Sequence, residues 1–156
     1  MAMWPVHDAR AMVLEASVGY GYEISPDRAT QATNIMITPG VELLEVLKLE
    51  LGVVGAYGAV RSGLNQDLQL EFRPMIVLAP PVIPLYARAI FSVIQPFSSA
   101  DRTIAYGGAL GFGVSVPVVG LGVFAEVGVL PRSVTTASVS SFVWVLEGRA
   151  GLSFSF

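Results

Sequence analysis

Three observations predict an all-β protein, an eight-stranded antiparallel up-and-down transmembrane β-barrel. The chain of 156 residues is 53% hydrophobic and only 13% charged, roughly half the charged share of a soluble domain. No run reaches the roughly 18 uninterrupted apolar residues of a membrane-spanning helix, because Glu, Arg, Gly or Pro recurs every few positions. Alternation of apolar with small or polar residues recurs eight times, with turn-forming breaks between, which is the period of strands with one face in apolar surroundings. Backbone polar groups in lipid must be satisfied within the protein, and strands achieve this only in a closed barrel.

The first strand is expected at 12–24, with Leu14, Ala16, Val18, Tyr20, Tyr22 and Ile24 on one face and Glu15, Ser17, Gly19, Gly21 and Glu23 on the other. Apolar side chains toward lipid and small or polar ones toward a lumen make the barrel pattern. A polar loop then runs to Asn34. The second strand, 34–43, sets Ile35, Ile37, Val41 and Leu43 against Thr38, Gly40 and Glu42, and a tight turn follows at 44–46. The third, 47–59, turns Leu47, Leu49, Leu51, Val53 and Tyr57 outward and Lys48, Glu50, Gly52 and Gly58 inward, ahead of a loop at 61–67.

The fourth strand, 68–78, points Leu68, Leu70, Phe72, Ile76 and Leu78 out and Gln69, Glu71 and Arg73 in, and the prolines at 80, 81 and 84 end it. The fifth, 85–95, carries Leu85, Ala87, Ala89, Phe91 and Val93 opposite Tyr86, Arg88 and Ser92, with a loop at 96–102. In the sixth, 103–116, Ile104, Tyr106, Leu110, Phe112, Val114 and Val116 oppose Ala105, Gly107, Gly111, Gly113 and Ser115, and 117–120 turns the chain. The seventh, 121–130, sets Leu121, Val123, Ala125, Val127 and Val129 against Gly122, Glu126 and Gly128, and 131–138 reads as a Ser/Thr loop. The eighth, 139–156, has Phe142, Trp144, Leu146, Leu152, Phe154 and Phe156 outward and Glu147, Arg149, Gly151, Ser153 and Ser155 inward. A competing reading makes 41–50 an amphipathic helix, with Glu45 three residues before Lys48. That would leave seven strands, where bacterial single-chain barrels have an even number.

The charges follow the same division. Glu15, Glu23, Glu42, Lys48, Glu50, Glu71, Arg73, Arg88, Glu126, Glu147 and Arg149 all take the lumen side of these strands. Lys48/Glu50, Glu71/Arg73 and Glu147/Arg149 are spaced i,i+2 and so share a face. The other charges, among them Asp27, Arg28, Arg61, Asp67, Asp101, Arg102 and Arg132, are expected in loops, turns or an N-terminal arm. With both termini periplasmic, Tyr20, Tyr22, Tyr57, Tyr106, Phe142 and Trp144 would form an outer aromatic girdle, and Phe154 and Phe156 an inner one.

Composition excludes several functions. A net charge of −3 without any Lys/Arg cluster gives no footprint for nucleic acid. The absence of cysteine rules out disulfides and thiolate metal sites, and no metal or cofactor is expected. The one histidine, His7, falls in the N-terminal arm at 1–10, outside the barrel domain at 11–156. No GxSxG, HExxH, P-loop or EF-hand spacing occurs, so the protein is expected not to be an enzyme. The start at Met1 lacks a basic segment followed by an apolar one, so an export signal is expected to be missing from this chain.

The last eight residues, Arg149 to Phe156, complete the pattern. The chain resembles the small eight-stranded bacterial outer-membrane barrels, similar in layout to the OmpA transmembrane domain and OmpX, by pattern over residues 11 to 156. The ending resembles the C-terminal signal of that family: a polar residue, then Gly, then alternating aromatics ending in Phe, here Arg149, Gly151, Phe154 and Phe156. The resemblance implies residence in the outer membrane, lipid or detergent as the surroundings, a monomer, and recognition by the outer-membrane assembly machinery through the last strand. The connections look shorter than the long extracellular loops of such relatives, which argues against adhesion.

The inward charges are the functional candidates: Glu15, Glu42, Lys48, Glu50, Glu71, Arg73, Arg88, Glu126, Glu147 and Arg149. An eight-stranded lumen is just wide enough to be filled by side chains, so these are expected to form a salt-bridge plug, with a structural or interaction role for the protein. The surplus of acids and the many inward Gly, Ala and Ser residues leave a second expectation, a porin-like, narrow cation-preferring pore for small solutes. A third reads the alternation inside out, as a soluble lipocalin-like barrel around an apolar ligand.

Overall fold

A computed structural model describes residues 12–25, 28–59, 67–97, 103–116, 120–136 and 139–156. Eight strands follow one another: β1 (Met12–Ser25), β2 (Arg28–Leu44), β3 (Leu47–Ala59), β4 (Asp67–Leu78), β5 (Leu85–Pro96), β6 (Thr103–Val116), β7 (Leu121–Thr136) and β8 (Val139–Ser155). Each pairs antiparallel with its sequence neighbours, and β8 closes on β1. The segment 41–50 is strand, turn and strand, not a helix. Every apolar face that would have made the helix amphipathic instead contributes to an outer wall.

The stagger of the barrel can be read from its registers. Following paired residues from Met12 through Val41, Leu49, Ile76, Ala89, Gly108, Val129 and Leu146 leads back to Tyr22 on β1, ten residues farther along. Ten residues at about 3.3 Å each, climbed across eight strands about 4.8 Å apart, tilts the strands roughly 40° from the axis. Both ends of the described chain lie at one end of the barrel, here the terminal end. Met12 and Phe156 exchange backbone hydrogen bonds there, at 3.3 and 2.9 Å. The connections β1–β2, β3–β4, β5–β6 and β7–β8 lie at the opposite, hairpin end.

Two strands are longer than their alternation indicates. β2 starts at Arg28 and not near 34, and β7 continues to Thr136 where a loop was expected from 131. Arg28, Asp67 and Arg132 are therefore strand residues. Past the apolar band the pattern is no longer imposed by lipid, but the ladder continues, from Ser25↔Arg28 in one hairpin to Thr136↔Val139 in the other. Pro131 interrupts less than its type suggests. It pairs with Trp144 on β8, while the β6–β7 pairs skip from Ala105↔Arg132 to Gly108↔Val129, so the missing N–H falls in a gap of the ladder. Gly107 sits in that gap, where a Cβ would meet the Val129 carbonyl at 2.0 Å.

Side-chain direction settles the sidedness. Val18, Ile35, Ile37, Ile76, Leu110, Phe112, Val123 and Val127 are all exposed on the outer wall, while Glu15, Glu50, Glu71, Arg73, Arg88, Glu126, Glu147 and Arg149 are buried inside. A soluble barrel around an apolar ligand would show the reverse. Such a wall is compatible with hydrocarbon, where an outward charge near mid-membrane costs about 2–4 kcal/mol. The chain folds as a transmembrane β-barrel. No described helix is long and apolar enough to cross a membrane; the strands make the crossing. The N-terminal arm with His7 lies outside the described residues, as do the side chains of Glu23, Tyr57 and Phe142.

Candidate functional site: the ionic network of the lumen

Alternation places every second side chain of each strand inside, and the stagger decides which of them meet. Near the hairpin end Arg73 on β4 reaches across to β8. Its Nε donates to Glu71 Oε1 at 2.5 Å and its Nη2 to Glu71 Oε2 at 3.1 Å, while Nη1 and Nη2 donate to the two oxygens of Glu147 at 2.7 and 2.8 Å. Ser92 Oγ donates to Glu71, and Asn34 Nδ2 to Glu147 at 3.4 Å. Arg149 extends the chain of charges toward the other end. It pairs with Glu147 through Nη2, donates to Ser17 Oγ at 3.3 Å and Asn34 Oδ1 at 3.2 Å, and brings Nε within 3.5 Å of Glu126.

Toward the terminal end Arg88 on β5 is the centre. Nη1 donates to Glu126 Oε2 at 2.8 Å, and Nη2 contacts Glu15 Oε2 at 2.5 Å and Glu50 Oε2 at 3.2 Å. Tyr86 Oη also donates to Glu126 Oε2, at 2.9 Å. The Arg88 guanidinium lies 5.0 Å from the Tyr86 ring centre and 5.4 Å from that of Phe124, a cation–π arrangement. The two rings meet edge to face, with centroids 6.4 Å apart. Strands β1, β3, β4, β5, β7 and β8 thus each contribute charge to one connected network.

Lys48 and Glu42 stand apart from it. They face each other in register between β2 and β3, pair at 2.7 Å, and remain about a quarter exposed. The i,i+2 spacing of Lys48 and Glu50 puts them on one face without joining them. Direct opposition across the ladder gives Lys48 a nearer partner.

The apolar part of the lumen was not legible in the alternation. Met36, Val54, Met75, Ile90, Ala109 and Leu130 form a buried inner cluster, with Val145 packed against it. The available signal was the adjacent apolar pairs that break the period, such as Val53-Val54, Ile90-Phe91 and Val129-Leu130. Met36 and other inward side chains fill space that the inward glycines leave free. A Cβ on Gly52 would lie 2.7 Å from the Met36 sulfur, one on Gly111 2.1 Å from the Tyr86 ring, and one on Gly151 2.6 Å from Ser17 Cβ. At Gly52 and Gly111 the missing side chain is therefore a socket for a large neighbour.

Of the aromatic residues singled out in the sequence, Tyr20, Tyr22, Tyr106 and Trp144 are exposed on the outer wall toward the hairpin end. Phe156 is exposed at the terminal end, where Phe154 is half-buried. Gly151 faces inward opposite Phe124, and Arg149 opposite Glu126.

No protein-family profile matches the sequence, and no curated protein matches it. Solved structures do. Neisserial surface protein A superposes with a TM-score of 0.66 at 13% identity, covering 94% of this chain and 99% of that one. The chain has the fold of the small eight-stranded outer-membrane barrels. The attachment invasion locus protein Ail of Yersinia pestis gives 0.57 at 8% identity, over 94% of this chain and 99% of its own. The outer membrane protein AlkL, determined in lipid bilayers, gives 0.53 at 9% identity, over 100% and 96%. At such identities the likeness is one of architecture, and the lumen chemistry must be argued from this chain's own residues.

Proposed function

We propose that this protein is a monomeric barrel of the bacterial outer membrane, with periplasmic termini and a lumen sealed by its own side chains, acting by structural or interaction roles and not by catalysis. The observation that carries this reading is the continuous buried network from Glu71 to Glu15, together with a buried apolar cluster whose Met36 and Met75 fill the space beside Gly52. An eight-stranded barrel has little lumen beyond what side chains fill. The rows of exposed Tyr and Trp on one side and terminal Phe on the other fit two interfacial girdles. Arg149, Gly151, Phe154 and Phe156 fit an assembly signal at the end of the last strand.

Planar-bilayer recording on refolded protein tests the plug. The native barrel is expected to show near-zero conductance, and Arg73→Gln together with Arg149→Gln to raise it. Closed bilayers for both proteins would count against a gate-like network. One observation favours the narrow cation-preferring pore as the second reading: five acids but three bases are buried in the described lumen. Steady cation-selective openings of the native barrel would establish that reading.

A further inference from the structure

The surplus of buried acid is localised. At the hairpin end Glu71 and Glu147 face Arg73 and Arg149, two against two. At the terminal end Glu15, Glu50 and Glu126 converge on Arg88. Glu15 and Glu50 compete for the same nitrogen, and Glu15 has the better place, at 2.5 Å against 3.2 Å. Neither carboxylate oxygen of Glu50 accepts a hydrogen bond, although its side chain is 1% exposed. The hydroxyl of Thr38, on the adjacent strand β2 and 0% exposed, also lacks a partner. Thr38 is the next inward residue after Gly40, which pairs with Glu50.

We propose that the Glu15/Glu50 pair binds a proton, carried on the Glu50 carboxyl and donated toward the Glu15 carboxylate. Two carboxylates sharing one guanidinium nitrogen in an apolar interior do not both stay ionised, and the one with the longer contact and no hydrogen bond is relieved by neutralisation. The other groups facing the pair are already engaged. Glu126 is held by Arg88 and Tyr86, Arg149 by Glu147, and Lys48 by Glu42 at the mouth. A proton fits better than a metal ion, because no group of three or more His, Cys, Asp or Glu among the described residues is arranged to hold one. A protonated Glu50 gains a donor for Glu15 and no longer sets a second negative charge against the same Arg88 nitrogen. The inference rests on the buried ionic lumen and is independent of whether the barrel conducts.

Infrared spectroscopy of the refolded native protein at neutral pH tests it, because a protonated carboxyl has a C=O stretch well separated from carboxylate bands. One such band is expected in the native protein and is expected to vanish in Glu50→Gln, which keeps the side chain's shape and should refold with native yield. Absence of the band from the native protein overturns the proposal, as does its persistence in Glu50→Gln. A native protein without the band that gains stability from sodium or potassium chloride over choline chloride would place a metal cation there instead, which also overturns it. Should Glu50→Gln fail to refold, the native spectrum together with that of Glu15→Gln decides by the same criteria.

Discussion

Arg73→Met tests whether the lumen is dry. Arg73 is 4% exposed, and its guanidinium makes four contacts to two carboxylates, all between 2.5 and 3.1 Å. Methionine restores part of the stem's volume and none of the charge. Glu71 would then keep only Ser92 among the partners described above, and Glu147 would keep Arg149 and Asn34. Removing one member of a buried ion pair destabilises by about 3–5 kcal/mol because the partner stays buried and uncompensated. With two pairs sharing one guanidinium, the loss should lie near the top of that range. A charge-balanced version, Glu71→Gln with Arg73→Met, leaves Glu147 paired with Arg149 and should recover most of the loss, since well-packed neutral replacements of buried ion pairs are often close to neutral. Equilibrium urea unfolding in lipid vesicles, followed by tryptophan fluorescence, measures both. A single Arg73→Met variant within about 1 kcal/mol of native would refute the reasoning, because water would then be solvating both carboxylates.

On the outer wall, Val127→Arg should cost about 2–4 kcal/mol of folding free energy in vesicles, whereas Val82→Arg, in the exposed β4–β5 connection, should change little; equal effects would contradict the membrane placement of β7. Gly111→Ala forces a methyl into the Tyr86 ring and should destabilise by about 1–3 kcal/mol, with partial rescue by Tyr86→Leu in the same unfolding assay. Removing Phe156 should lower the heat-modifiable, folded fraction in bacterial outer membranes while leaving refolding into detergent near native; equal loss in both would mean that the residue acts in stability and not in assembly.

What the sequence reveals here is set by the solvent. Lipid on the outside forbids outward charge, so the face of each strand follows from alternation alone. The i,i+2 pairs Glu71/Arg73 and Glu147/Arg149 become ion pairs because both partners are deep and share a face. The bond between Arg73 and Glu147 spans most of the barrel and depends on the ten-residue stagger, which no local pattern encodes. Strand ends were hidden for the opposite reason. Above the apolar band, at 28–33 and 131–136, pairing continues without the pattern that lipid enforces. The inner apolar cluster was hidden because Met36 on β2 and Met75 on β4 both pack against Gly52 on β3, a relation visible only once the register is known.

The two halves of the network are unequal in balance, and this bears on how the lumen responds to perturbation. The hairpin half matches two carboxylates with two guanidiniums and uses Ser92 and Asn34 to occupy remaining oxygens. The terminal half asks Arg88 to serve three carboxylates, with Arg149 assisting Glu126 only at 3.5 Å. Fully satisfied polar networks rigidify a core, and partly satisfied ones are where it yields. The terminal half is closed from below by Tyr86 and Phe124, whose rings lie against Arg88 and hold its guanidinium without adding positive charge. Hydration of the lumen, if forced by heat, denaturant or the loss of a charge, should therefore begin beneath Arg88, while the Glu71–Arg73–Glu147 layer keeps the hairpin end shut.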